Sequence, residues 1–241
     1  MKKKKERIQL IDALRGLAAA LMVIHHLLYD LVDVLDAPRW LFSNPVFNTL
    51  HYIFAGLFIF ISGVSSRFSH SNIRRGSIAI AFAAVISAVT FYMEMPIWFG
   101  VLHLLGFSML FFGLTRKLWD RIPRKASPVI FIVLIIAGAL GTEYLSVTSG
   151  NIVIRGVLWV LGWSQPGFIS YDYFPLLPWL FVFLLGTWAG LYISERRLPE
   201  WFYKVEPRFF PAIGRKALLI YILHQPVLYG IVTGIARLTG R

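Results

Sequence analysis

Asp12, Arg15, Ala19, Met22, His26 and Asp30 recur three or four residues apart, so on a helix turning 100° per residue they share one face, with His25 about a quarter turn away. A histidine oriented by a carboxylate is the usual form of a general base: the acid holds the ring and the ring takes a proton. The same two side chains, His26 and Asp30, could also simply satisfy each other as an i, i+4 hydrogen bond. Arg15 and Asp12 form a second couple at i, i+3, suited either to an ion pair that orients the helix or to contact with an anionic ligand. Arg15 and His26 lie about 16 Å apart along the axis at 1.5 Å per residue.

The setting of this stripe gives it weight. It is embedded in an apolar run from Leu10 to Leu31. A charged side chain near a bilayer centre costs roughly 3 kcal/mol or more, so such groups persist where they pair, line a polar cavity or act on a substrate.

With 241 residues, 57% hydrophobic and only 15% charged, the chain is too apolar for a soluble domain. A span needs about 20 mostly apolar residues. Seven stretches come close: residues 9–31, 46–66, 73–92, 98–115, 127–143, 174–194 and 213–236. The expected fold is all-α, a polytopic transmembrane helix bundle forming a single domain over residues 1–241. Residues 152–163 are short for a crossing and read as re-entrant or interfacial, with Trp159 and Trp163 at the headgroup level; an eighth span is the alternative. The lysine run at the start precedes a long apolar segment with no small-residue cleavage site, and so reads as the flank of the first span. Gly186 and Gly190, at GxxxG spacing, predict close helix packing.

The formal net charge of +12 does not point to nucleic acid, because most of the 24 Lys and Arg fall in alternate loops rather than on one soluble face. The opposite loops hold Arg39, Arg155, Arg237 and Arg241 with Asp33, Asp36, Glu94, Glu143 and Asp172. The positive-inside rule then places the N-terminus in the cytoplasm of a multi-pass protein of the cell (plasma) membrane. Zero cysteines exclude disulfides, thiolate metal sites and a cysteine nucleophile. A histidine metal site is also disfavoured: there is no i, i+4 His pair and no HExxH, and the adjacent His25 and His26 cannot face one ion.

Topology brings further polar groups toward the level of His26. His51 opens the second span, His103 is the one polar side chain in Gly100-Val-Leu-His-Leu-Leu-Gly106, and Asp172 with Tyr173 precedes the sixth span. His224 and Gln225 lie in the last span directly before Pro226, which frees a carbonyl one turn earlier.

Several phrases carry a family resemblance: Arg7-Ile-Gln-Leu-Ile-Asp12-Ala-Leu-Arg15-Gly16, His26 with Asp30, Phe58-Ile-Phe-Ile-Ser-Gly63, Gly100-Val-Leu-His103, Asp172-Tyr-Phe-Pro-Leu-Leu-Pro-Trp179 and Leu219-Ile-Tyr-Ile-Leu-His224-Gln-Pro-Val227. Together they resemble the bacterial proteins classed as heparan-alpha-glucosaminide N-acetyltransferase catalytic-domain-like. The resemblance implies a membrane O- or N-acyltransferase that takes an acyl group from cytoplasmic acyl-CoA, acetyl-CoA above all, and delivers it to a sugar-like acceptor across the membrane. On that reading Arg15, Asp12, His224 and Gln225 serve the donor, and His26 with Asp30 acts as base or takes the acyl group itself. His103 or Tyr173 stabilises the oxyanion, Asp172 holds the acceptor, and His51 and Tyr173 contact it. The expected partners are the lipid bilayer, acyl-CoA and a glycan or small-molecule acceptor, with a homo-oligomer left open. Two other classes compete: a proton-coupled small-solute transporter and a non-catalytic membrane partner protein.

Overall fold

The computed structural model describes residues 7–148, 158–164 and 167–240, the side chains of 145–148 excepted. Among the described residues it is helical throughout: α1 (Gln9–Leu35), α2 (Trp40–Ser43), α3 (Pro45–Phe68), α4 (Asn72–Tyr92), α5 (Val101–Trp119), α6 (Ser127–Thr148), a 3-10 turn (Trp159–Leu161), α7 (Leu176–Ser194), α8 (Glu200–Lys204), α9 (Phe210–Arg215) and α10 (Ala217–Leu238). Seven of these are long and apolar enough to span a bilayer, in the seven places the sequence indicates. The protein is a multi-pass helical membrane protein. Of the segment read as re-entrant or interfacial, residues 152–157 lie outside the described residues; Trp159–Leu161 forms the 3-10 turn, and Trp163 Nε1 donates to the Gly141 carbonyl at 3.3 Å.

The chain divides into two compact units, residues 1–61 with 198–241 and residues 62–197. In unit 1 the first turns of α1 cross α9 at backbone contact. A Cβ on Gly16 would overlap the Phe210 carbonyl and the Gly214 amide, and a Cβ on Gly214 would overlap the Asp12 carbonyl. Glycine at both positions is what allows the crossing, and it buries Asp12 together with Ile11 and Ala13. The buried Asp12 is neutralised by Arg7 Nε at 2.8 Å and by Arg15 Nη1 at 3.0 Å. Of the two roles open to Arg15 and Asp12, the helix-orienting ion pair is present. Beyond Asp36, which closes α1 in the left-handed conformation, α2 folds back and sets Phe42 against His25 and Tyr29.

Unit 2 is also built on close backbone approaches. Gly63, near the end of α3, lies against the Phe183 carbonyl and the Thr187 amide of α7, and Gly190 meets the Val64 carbonyl, so the small-residue spacing in α7 does serve packing. Arg67, also from α3, is buried beside this crossing. Its Nε donates to the Thr187 carbonyl at 2.8 Å, its Nη1 pairs with Asp120 at 2.6 Å, and its guanidinium covers the Phe112 ring at 4.9 Å. A buried guanidinium is tolerated when its charge is met, as the Asp120 carboxylate meets it here. In each unit large apolar side chains remain exposed, among them Val85, Val133 and Leu140 in unit 2 and Val227 and Ile231 in unit 1, a surface suited to lipid rather than water.

The connection after α4 is pinned from two directions. Thr90 Oγ1 accepts from the Ile97 amide at 3.2 Å, while residues 96–99 bond with residues 170–174, Tyr171 N to Pro96 O at 3.0 Å and Phe174 N to Phe99 O at 2.8 Å. Asp172 Oδ2 then accepts from the Val101 amide at 3.0 Å and caps the start of α5 from 71 residues away. Gly100 is required for this, since a Cβ there would run into the Asp172 carboxylate. Helix N-termini leave orphan N–H groups, and a carboxylate is a favoured partner for them.

Candidate functional site

In unit 1, α1, α3 and α10 gather four of the six histidines into a row. The rings of His51 and His25 stack with centroids 4.0 Å apart, His25 and His26 meet edge-on at 5.8 Å, and His26 and His224 meet edge-on at 4.8 Å. Gln225 Nε2 donates to Asp30 Oδ1 at 2.8 Å, and Asp30 is fully buried. Asp30 Oδ2, Gln225 Oε1, His224 Nε2 and His25 Nδ1 are all buried with no hydrogen-bond partner among the described residues. Buried polar atoms are usually paired, so a set of unpaired ones in one place marks where a ligand or water belongs.

The hydrogen bonds fix which nitrogen of each ring can react. His26 Nδ1 lies 2.9 Å from the Met22 carbonyl. A carbonyl can only accept, so Nδ1 carries the proton and Nε2 the lone pair in the neutral ring. His224 is held in the same way, its Nδ1 donating to the Tyr221 carbonyl at 2.8 Å and the Ile220 carbonyl at 3.2 Å. The partner of His26 therefore differs from the one its spacing suggests: the ring is oriented by Met22, and Asp30 is hydrogen-bonded to Gln225. Helical side chains lean toward their own N-terminus, so His26 reaches the turn before it more readily than the turn after it.

Unit 2 holds the remaining residues singled out from the sequence. His103 sits in the first turn of α5, stacked on Phe99 at 5.7 Å, with Nε2 3.2 Å from Ser87 Oγ of α4. Asp172 caps α5 as described. The Tyr173 hydroxyl donates to the Trp159 carbonyl, and burial pushes its pKa up to about 12. His51, His26, His224, Gln225 and Asp30 are thus brought together in unit 1, where Asp12 and Arg15 pair at the α9 crossing, while His103, Asp172 and Tyr173 belong to unit 2. His70 is exposed to solvent.

Ser87 is the polar side chain beside these groups that the sequence reading passed over. A serine inside an apolar helix usually bonds its own backbone, and the one available hint was Thr90, which shares its face at i, i+3. Among the described residues no group of three or more histidine or acidic side chains is arranged to hold a metal ion.

A family model described as Heparan-alpha-glucosaminide N-acetyltransferase, catalytic, matches residues 7–226 of the chain. No curated protein matches, and no solved structure does.

Proposed function

Because the chain belongs to the heparan-alpha-glucosaminide N-acetyltransferase catalytic family, and is at that level a membrane acetyltransferase, we propose that it moves an acetyl group from acetyl-CoA to a hydroxyl or amine of a sugar-like acceptor, with His26 as the base. The observation that carries this reading is the His26 ring itself, its Nδ1–H tied to Met22 so that Nε2 keeps the lone pair, and the ring set edge-on to His224, whose own Nε2 is buried without a hydrogen-bond partner among the described residues. In the step proposed, the acceptor O–H or N–H gives its proton to His26 Nε2 as the oxygen or nitrogen bonds to the thioester carbonyl carbon. The C–S bond then breaks and the departing thiolate recovers that proton. Protons and electrons balance without an external reactant.

Acetyl-CoA is the donor substrate and supplies an activated acyl carbon. Its phosphate-rich end is anionic and suits the side of the membrane that carries most of the Lys and Arg, which the positive-inside rule makes cytoplasmic. Arg15 belongs to that end of α1, with Asp12 fixing its guanidinium. The acceptor is then met on the opposite side. In unit 2 we assign His103 to the reaction, with Asp172 and Tyr173 holding the chain around it.

The test is transfer of labelled acetyl from acetyl-CoA to a panel of amino sugars and polyols by purified protein in nanodiscs. His26→Ala is expected to abolish transfer while acetyl-CoA still binds, and Arg15→Gln to raise the acetyl-CoA KM more than it lowers kcat. Full turnover by His26→Ala would remove it as base. The row of imidazoles also suits proton movement, which is what a proton-coupled transporter would use. Saturable acetyl-CoA hydrolysis in the absence of acceptor separates the two, since a transporter has no reason to cleave a thioester.

A further inference from the structure

Ser87, hydrogen-bonded to His103, is a side chain to which the acetyl-transfer reading gives no role. A serine hydroxyl has one proton, and that of Ser87 is given to the Ile97 carbonyl, which can only accept. The contact between Ser87 Oγ and His103 Nε2 at 3.2 Å must therefore run from the ring to the hydroxyl, with Nε2–H donating to an Oγ lone pair. A neutral imidazole protonated on Nε2 carries its lone pair on Nδ1. This is the reverse of His26 and His224, both of which keep the proton on Nδ1.

The reversal follows from position in the helix. His26 and His224 lie well inside α1 and α10, where a carbonyl three or four residues back is available to Nδ1. His103 is the third residue of α5, so the carbonyl four residues back belongs to Phe99, ahead of the helix, where the backbone pairs with residues 170–174 instead of winding into a helical turn. The ring takes its hydrogen bond from the neighbouring helix instead. The same Ile97 whose carbonyl accepts from Ser87 is held through its amide by Thr90, so the hydroxyl bonds to a fixed carbonyl.

We infer that Ser87 is a positioning residue: by accepting from Nε2–H it holds His103 in the tautomer whose Nδ1 presents a lone pair, so that His103 accepts a hydrogen bond from a hydroxyl, amide N–H or ammonium of a substrate. In this tautomer the ring has no second N–H with which to stabilise an oxyanion. The tautomer stands on the hydrogen bonds alone, whereas its consequence for turnover rests on the acetyl-transfer reading.

The experiment is nitrogen and carbon NMR of the full-length protein, labelled on histidine and held in nanodiscs, with His103→Gln identifying the His103 signals among the six histidines. The expected wild-type spectrum shows His103 protonated on Nε2. Ser87→Thr, which keeps a hydroxyl, should preserve that signature; Ser87→Ala should lose it and lower acceptor turnover about tenfold, the equivalent of one net hydrogen bond, with acetyl-CoA binding unchanged. A wild-type His103 protonated on Nδ1, or an unaltered signature in Ser87→Ala, overturns the inference. A changed signature with unchanged turnover overturns the role in the reaction. If the wild type transfers acetyl to nothing, the acetyl-transfer reading falls and the ring spectra still decide what Ser87 does.

Discussion

In unit 1 the rings of His26 and His224 are set by carbonyls of their own helices, whereas in unit 2 the ring of His103 is set by a hydroxyl from another helix. The first arrangement is local: as long as α1 and α10 are helical, Met22 and Tyr221 keep Nδ1 protonated whatever packs around them. The second depends on how α4 lies against α5 and on the loop whose Ile97 carbonyl accepts from the serine hydroxyl. A ring held by its own helix can tolerate unpaired neighbours, and unit 1 has them in Asp30 Oδ2 and Gln225 Oε1. A ring held across helices depends on the elements that carry its partner, and in unit 2 the capped α5 and the loop pinned through Thr90 and residues 170–174 hold them.

The comparison can be broken by a few substitutions. The largest expected effect is His26→Ala, with acetyl transfer falling by about 100-fold or more in a turnover assay, the range of a lost general base. A loss no greater than that of His103→Gln would mean that the locally held ring is not the one doing proton transfer. Next comes Gln225→Leu, which leaves the buried Asp30 carboxylate without its one assigned donor and should cost about 3 kcal/mol in thermal or denaturant unfolding. If the locality argument is right, the His26 NMR signature in that variant keeps Nδ1–H. Gly214→Ala forces α1 and α9 apart at the Asp12 carbonyl and should cost about 2 kcal/mol, with loss of the Asp12 ion pairs.

The smallest effect belongs to Tyr173. Its pKa is raised by burial from the ordinary 10.0 to about 12, so between those values the unfolded chain ionises this group while the folded one does not. The stabilisation is complete below pH 10 and fades as pH rises toward 12. Tyr173→Phe should lose about 1 kcal/mol near neutrality from the missing bond to Trp159, and its unfolding should lack that alkaline component.

The seven spans were legible because length and apolarity mark a bilayer crossing without any knowledge of partners. The polar side chains of α1 stood out for a related reason, since charges inside such a run are conspicuous. What could not be read were the bonds that join distant parts of the chain. Asp30 looked committed to His26 by its spacing, yet its donor comes from Gln225, 195 residues on. Asp172 was recognisable as a carboxylate worth noting, but its duty at the start of α5 follows from a pairing of loops that no periodicity encodes. Ser87 left almost no trace, because one hydroxyl in an apolar helix has the same sequence signature whether it bonds its own backbone or fixes a neighbour.

The carboxylate that caps α5 also has an implication for biosynthesis. Val101 leaves the ribosome 71 residues ahead of Asp172, so the first turn of α5 enters the bilayer interface with its amide lacking the acceptor it will finally have. Until the later segment emerges, that turn depends on water or lipid headgroups, and nascent chains halted before Asp172 should expose the Gly100–Val101 bond to a protease that the finished protein resists.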